Sequence, residues 1–285
     1  MKDSNKEINL PDIRNVLSLL VREKASFNKE TYTIKEWIKE HRKNIRENSQ
    51  LIKNKSNKND IKILITILRD LLIRAMKGES GEKVFNELQK SIKTKKDLYH
   101  NNYVQILKRA SYRWGPKNGA KVITDVVNIL KNEFSWNWES YFKKAEKYSE
   151  INYPQDILLK VKNVNFKVRD LALSNFNKNY VANDLHVVRV MTRIGLLCYG
   201  FDLLEDKDLE MGNNPGNPKN YLFLHKLILK LSKLTNSQYS PVDLDRIFWH
   251  FGRAICSSEP KCFKCPINNM CLTGKYRKKT ICNTI

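Results

Sequence analysis

At 285 residues the chain has room for one large domain or two ordinary ones, and its 41% apolar and 10% aromatic content is that of a globular protein. Fifty-two Lys and Arg stand against thirty Asp and Glu, a formal charge of +22 with a pI near 9.7. Solubility alone asks for a net charge of only about 2–8 in a small domain, so the surplus points to a polyanion, with nucleic acid ahead of an anionic membrane.

The N-terminus, MKDSNKEINL, is polar and lacks the apolar centre of a signal peptide. That reading places the chain in a reducing cytosol, on the nucleoid, where disulfides are disfavoured. PDIRNVLSLLV (11–21) is the first stretch with one apolar face at 3.6 residues per turn. Residues 41–60, HRKNIRENSQLIKNKSNKND, are polar and basic and read as a linker or a frayed helix end. IKILITILRDLLIRAM (61–76) is a second helix; Lys62, Arg69, Asp70 and Arg74 interrupt it, which excludes a bilayer span. GESGEK (78–83) lacks the spacing and the Lys-Ser/Thr ending of a phosphate loop.

SYRWG (111–115) and FSWNWESYF (134–142) are rich in aromatic rings, for which core packing is the first reading. GAKVITDVVNILKNEF (119–134) and YLFLHKLILKLSKL (221–234) each give a further amphipathic helix. Between them lie an acidic patch (Glu205, Asp206, Asp208, Glu210) that would repel DNA and the loop GNNPGNPKN (212–220). Few runs alternate as strands do. The predicted fold class is all-α.

Near the end, CSSEPKCFKCPINNMC (256–271) places Cys256, Cys262, Cys265 and Cys271 within sixteen residues. With disulfides set aside, a metal ion or an iron–sulfur cluster remains. Zinc ribbons use two separated C-x2-C knuckles; here one such pair is flanked by a five-residue arm on either side. The wider cage suits a cubane, whose four irons each take one thiolate, and zinc is the alternative. Cys198 and Cys282 lie outside the set and read as free thiols.

The cysteine run resembles the C-terminal iron–sulfur loop of the endonuclease III branch of the helix-hairpin-helix DNA glycosylases. That family's spacing is C-x6-C-x2-C-x5-C after a segment like HGRxxC. Here the lead-in DRIFWHFGRAIC (245–256) supplies His250, Gly252 and Arg253, and the first arm is one residue shorter. YVANDLHVVRVMTRIGLL (180–197) resembles the family's AVDTHVxRVxxRLGL, with Asp184, His186, Arg189, Val190, Arg193 and Gly195 in register. An Asp ahead of an amphipathic run is also a helix N-cap, and the two roles are compatible. VKNVNFKVR (161–169) stands where the family has its hairpin, LPGVGxKTA, with Asn163 and Asn165 in place of the glycines and Lys167 at the position of the lyase nucleophile. Asn is the best substitute for Gly in a left-handed backbone.

The resemblance implies two helical domains with the active site in the cleft between them. Residues 1–60 are expected to form a helical extension with a basic linker, residues 61–182 a six-helix barrel with a divergent hairpin near 157–173, and residues 183–285 a helical domain ending in the cluster loop. It implies Asp184 and Lys167 as catalytic residues and a [4Fe–4S] cluster on the four cysteines. Asn163, Asn165, Arg253, Lys261 and Lys264 are the implied DNA contacts. The implied partner is double-stranded DNA holding a damaged or modified base, engaged by a monomer, and the implied activity is base excision with or without strand cleavage through a lysine Schiff base. A DNA-binding protein that kept fold and cluster but lost the chemistry is the rival reading. The base to be excised is not legible, because such pockets are built from scattered side chains.

Overall fold

A computed structural model describes residues 12–27, 30–72, 78–151, 156–197 and 218–275. Cys198, Cys282, the acidic patch and most of the 212–220 loop lie outside them.

Helix α1 (Ile13–Leu20) begins at Asp12, whose carboxylate accepts from the Arg14 amide, and buries Val16, Leu17 and Leu20. A short antiparallel hairpin follows, β1 (Lys24–Phe27) against β2 (Glu30–Thr33), with Ala25 opposite Tyr32 and Phe27 opposite Glu30. The alternation that marks a strand is too brief here to stand out, and Ala25 is the only fully buried residue of the two strands.

Helix α2 (Ile34–Lys53) corrects the reading of 41–60 as a linker. It opens on a capping box, Thr33 with Glu36, and buries Ile34, Ile38, His41 and Ile45. Those positions are spaced four, three and four, so one narrow stripe faces inward and the basic residues are the solvated remainder. The chain leaves the helix at Asn54, and α3 (Asn57–Leu72) starts at once.

Helix α3 is buried on most of its circumference, from Ile61 to Leu72, as befits the centre of a bundle. Around it lie α4 (Gly78–Ser91), α5 (Asp97–His100), α6 (Tyr103–Arg109), α7 (Pro116–Phe134), α8 (Trp138–Ile151) and α9 (Phe166–Leu173). They form one core with Ile63, Leu64, Leu107, Val126, Trp138 and Leu173 among its members. A second core gathers α1, the hairpin and the start of α2 with α10 (Leu185–Ile194), α11 (Pro218–Leu234) and α12 (Pro241–Ala254). Residues 13–38 thus share a core with residues 181–271, while the first core is built from the chain between.

Polar ties cross between elements. Arg42 of α2 grips Asp243 of α12 at 2.9 Å, and Arg246 of α12 donates to the Ser174 hydroxyl at 3.2 Å. Arg169, only 1% exposed, pairs with Asp156 at 2.7 Å and with Asp170, donates to the Ala145 carbonyl, and lies over the Tyr180 ring. A buried guanidinium is tolerable only when its N–H groups are this fully engaged. It fixes the first turns of α9 against α8 and the 3₁₀ turn Ile157–Lys160.

Candidate active site and cysteine pocket

The segment between the 3₁₀ turn and α9 is a tight turn, closed by the Val164 amide donating to the Val161 carbonyl at 3.1 Å. Asn163 sits in it at φ +72°, the left-handed conformation anticipated for it, and is exposed. Asn165 departs from that expectation. Its φ is −111°, and its side chain caps α9 by accepting from the Val168 amide at 3.0 Å. One left-handed residue suffices to reverse the chain; the second Asn is used to start the helix instead.

Lys167 rises from the first turn of α9, and Asp184 caps α10. Oδ1 of Asp184 accepts from the amides of His186 (2.8 Å) and Val187 (3.2 Å), while Oδ2 accepts from the Lys167 ammonium at 3.1 Å. The carboxylate therefore caps the helix with one oxygen and meets the lysine with the other. Asp184 is 4% exposed, and the Lys167 side chain is 39% exposed, so the amine is the member of the pair that solvent reaches. Val168 and Leu173 of α9 belong to the first core and Val187 of α10 to the second, so the ion pair lies where the two meet.

Buried polar groups that sequence reasoning missed surround this pair. Asp245 of α12 is fully enclosed, and burial pushes its carboxyl up to about 6; Asp184 adds to that push, whereas Arg246 and Lys167 oppose it. Asp170 is raised well above the carboxylate range by burial, with Asp245 contributing. The amide of Asn183, adjacent to Asp184, is buried without a hydrogen-bond partner. His186 is held below its usual range, chiefly by burial, with Arg189, Arg253 and Lys167 repelling the proton and Asp184 attracting it.

The four cysteines line one pocket together with Ile194, Phe251, Ile255 and Ile267. Burial pushes the thiols of Cys256 and Cys271 up, and that of Cys265 to about 11. Donors are arranged around the sulfurs. Arg193 reaches the Cys256 sulfur at 3.6 Å and the Ser258 carbonyl at 3.1 Å, the Ile267 amide points at Cys265, and the amides of Thr273 and Gly274 point at Cys271. A Cβ on Gly274 would come within 2.3 Å of Asn268, so only glycine closes this turn. Among the described residues no group of three or more His, Cys, Asp or Glu side chains is arranged to hold a metal ion. The donor set is all sulfur, enclosed by aliphatic side chains and met by N–H groups, which fits an iron–sulfur cluster.

Lys261 and Lys264 are exposed on the cysteine loop and flank Phe263, which is 81% exposed. Arg253 is also exposed. In the two aromatic stretches, Phe134, Trp138 and Tyr141 are core residues, as expected, while Trp114 stands 43% exposed at the head of α7.

Two solved structures share this architecture. A trapped endonuclease III–DNA covalent intermediate matches over 84% of this chain and 98% of its own, at 19% identity and a TM-score of 0.50. A thermostable thymine-DNA glycosylase matches over the same shares, at 13% identity and a TM-score of 0.52. Both belong to the helix-hairpin-helix DNA glycosylase superfamily. The chain has the fold of that superfamily. No family model matches the chain, and no curated protein sequence matches it. Among the described residues no helix is long and apolar enough to cross a membrane.

Proposed function

We propose that the protein is a DNA glycosylase that extrudes a damaged or modified base from double-stranded DNA and cleaves its N-glycosidic bond. The observation that carries this reading is the Lys167–Asp184 pair at 3.1 Å, one partner enclosed and the other open to solvent, at the meeting of the two cores. Cleaving the bond builds positive charge on the sugar, and a fixed carboxylate stabilises it where water is excluded. Asp184 is well placed for that because its cap bonds hold the group in one orientation.

Lys167, once its solvent-exposed ammonium has given up one proton to water, supplies a nucleophile. As its amine adds to the sugar carbon C1′, the base departs with the bonding electron pair. The proton lost from nitrogen passes to the Asp184 carboxylate within hydrogen-bond reach. The sugar ring then opens: the C1′–O4′ bond breaks, O4′ takes up the proton held by Asp184, and the nitrogen lone pair forms the iminium that permits β-elimination of the strand. If water attacks in place of the amine, Asp184 accepts the water proton and the enzyme stops at base removal.

The four cysteines would hold a [4Fe–4S] cluster, which supplies four metal–thiolate bonds that pin a loop too poor in apolar residues to pack by itself. With the loop fixed, Lys261 and Lys264 meet phosphates at low entropic cost. The rival reading, DNA binding without chemistry, draws on the glycine-free turn at 161–165. Against it, Asn163 keeps the left-handed backbone such a turn requires.

The deciding experiment is a panel of duplexes, each with one damaged or modified base, incubated with enzyme in borohydride and assayed with and without alkali. A covalent adduct that Lys167→Ala abolishes establishes the lysine as nucleophile. Excision without adduct assigns the attack to water. Binding with no excision on any duplex leaves the non-catalytic reading.

A further inference from the structure

The hairpin β1–β2 has no part in the chemistry above, yet its end lies on a line of contacts that starts at the active site. Phe27, the last residue of β1, meets Trp249 of α12 edge-on, with ring centroids 5.7 Å apart. The Arg253 guanidinium is 4.6 Å from the Trp249 ring centre and 5.8 Å from that of Phe27. Trp249 also meets His186 edge-on at 6.4 Å. His186 in turn lies within the electrostatic reach of Asp184, Lys167, Arg189 and Arg253. Lys167, Asp184, His186, Trp249, Arg253 and Phe27 thus form one continuous strip.

Arg253 is exposed, and among the described residues its guanidinium makes no ion pair or hydrogen bond with a side chain or carbonyl. A guanidinium against aromatic rings keeps its N–H groups free in its own plane, a planar fork that fits two phosphate oxygens. Ring contacts also restrict the rotamers of a long side chain, so part of the ordering cost of binding is met in advance. Trp249 comes from the same helix as the arginine, while Phe27 reaches it only because Tyr32 of β2 meets His250 at 3.2 Å and the hairpin lies along α12.

We propose that the N-terminal hairpin is a DNA-binding element: Phe27, with Trp249, presets Arg253 as a fork for a backbone phosphate close to the nucleotide that Lys167 and Asp184 act on. The partner is the phosphodiester backbone of a duplex, and the contact is indifferent to base sequence. The inference rests on the glycosylase reading for its partner, and its test is binding alone.

Affinity for a short undamaged duplex is measured by fluorescence anisotropy across a salt series, with thermal melting of each variant as the control for folding. Arg253→Gln should weaken binding about tenfold and lower the salt slope by about one unit. Phe27→Ala should weaken binding about threefold, and in the Arg253→Gln background it should cost nothing further, the signature of a shared contact. Phe27→Tyr, which keeps the ring, should bind as wild type, whereas Phe27→Leu, which keeps only apolar bulk, should behave as Phe27→Ala. Equal losses from Phe27→Ala with and without Arg253, or an unchanged salt slope in Arg253→Gln, would overturn the proposal. A protein that binds as described but excises no base would refute the glycosylase reading and leave the hairpin contact standing.

Discussion

The Lys167–Asp184 pair and the cysteine pocket are built on opposite principles. In the first, the protein satisfies its own charges: the carboxylate has two backbone amides and an ammonium as donors. In the second, burial favours protonated thiols, and the surrounding N–H groups become strong donors only once the sulfurs carry charge. One region is complete as folded; in the other, a cation bound as proposed would replace the protons. On the proposed reading, the geometry of the Lys167–Asp184 pair should therefore survive loss of a cluster better than DNA affinity does.

The sharpest way to break that contrast is Asp184→Asn. Asn caps a helix about as well as Asp, so melting should shift little, while single-turnover excision falls by a factor of about a hundred or more. Excision at the wild-type rate would reduce Asp184 to a cap. Next in size is Cys262→Ser, which should lose the iron and sulfide counted by chemical analysis, together with about tenfold in duplex affinity. Stoichiometric zinc and no iron in anaerobically purified wild-type protein would refute the cluster. Replacing Lys261 and Lys264 together should weaken binding to all sequences alike and flatten the salt slope by about two units. A change in lesion preference with plain-duplex affinity intact would mean these lysines are misassigned.

The smallest expected effect is on stability. Asp245 is raised to about 6 in the folded chain against 3.8 for an ordinary Asp. Its protonated form is thus favoured by folding, which contributes stability below about pH 4 that is lost as pH rises through 6. Asp245→Asn should accordingly melt a few degrees higher than wild type at pH 7.5, and the gain should shrink to nothing between pH 6 and 4. A gain that persists at pH 4 would show that the ionised carboxylate is not its source.

Legibility in the sequence followed the range of the interactions. The cap at Asp184 and the gathering of the four cysteines were readable because both are local patterns. Lys167 lies seventeen residues upstream, and its contact with the Asp184 carboxylate appears only on folding. Helix α2 was missed because only four buried residues, each three or four apart, separate it from a solvated tether. The hairpin was missed because its alternation is two residues deep. Asp170 and Asp245 look like surface acids in sequence; their enclosure comes from α9, α11 and α12 packing together, with the Tyr221 hydroxyl bonded to both the Val181 carbonyl and Asp170. Asn165 kept its place in the turn but changed its task, since a side chain that caps α9 does more there than a second reversed residue would.

The second core has a consequence for how the chain assembles. It joins residues 13–38 to residues 181–271, so it closes a loop of roughly 140 residues, an entropic cost of about 4 kcal/mol if the loop were a free coil. The first core occupies that loop, and forming it early draws the two ends together and removes most of the cost. The expected order of folding is from the middle outward, with the apolar face of α1 unpaired until α10 and α12 arrive. In pulse-labelled hydrogen exchange, amides of α3 and α7 should gain protection before those of α1. Simultaneous protection would mean the two cores form as one unit.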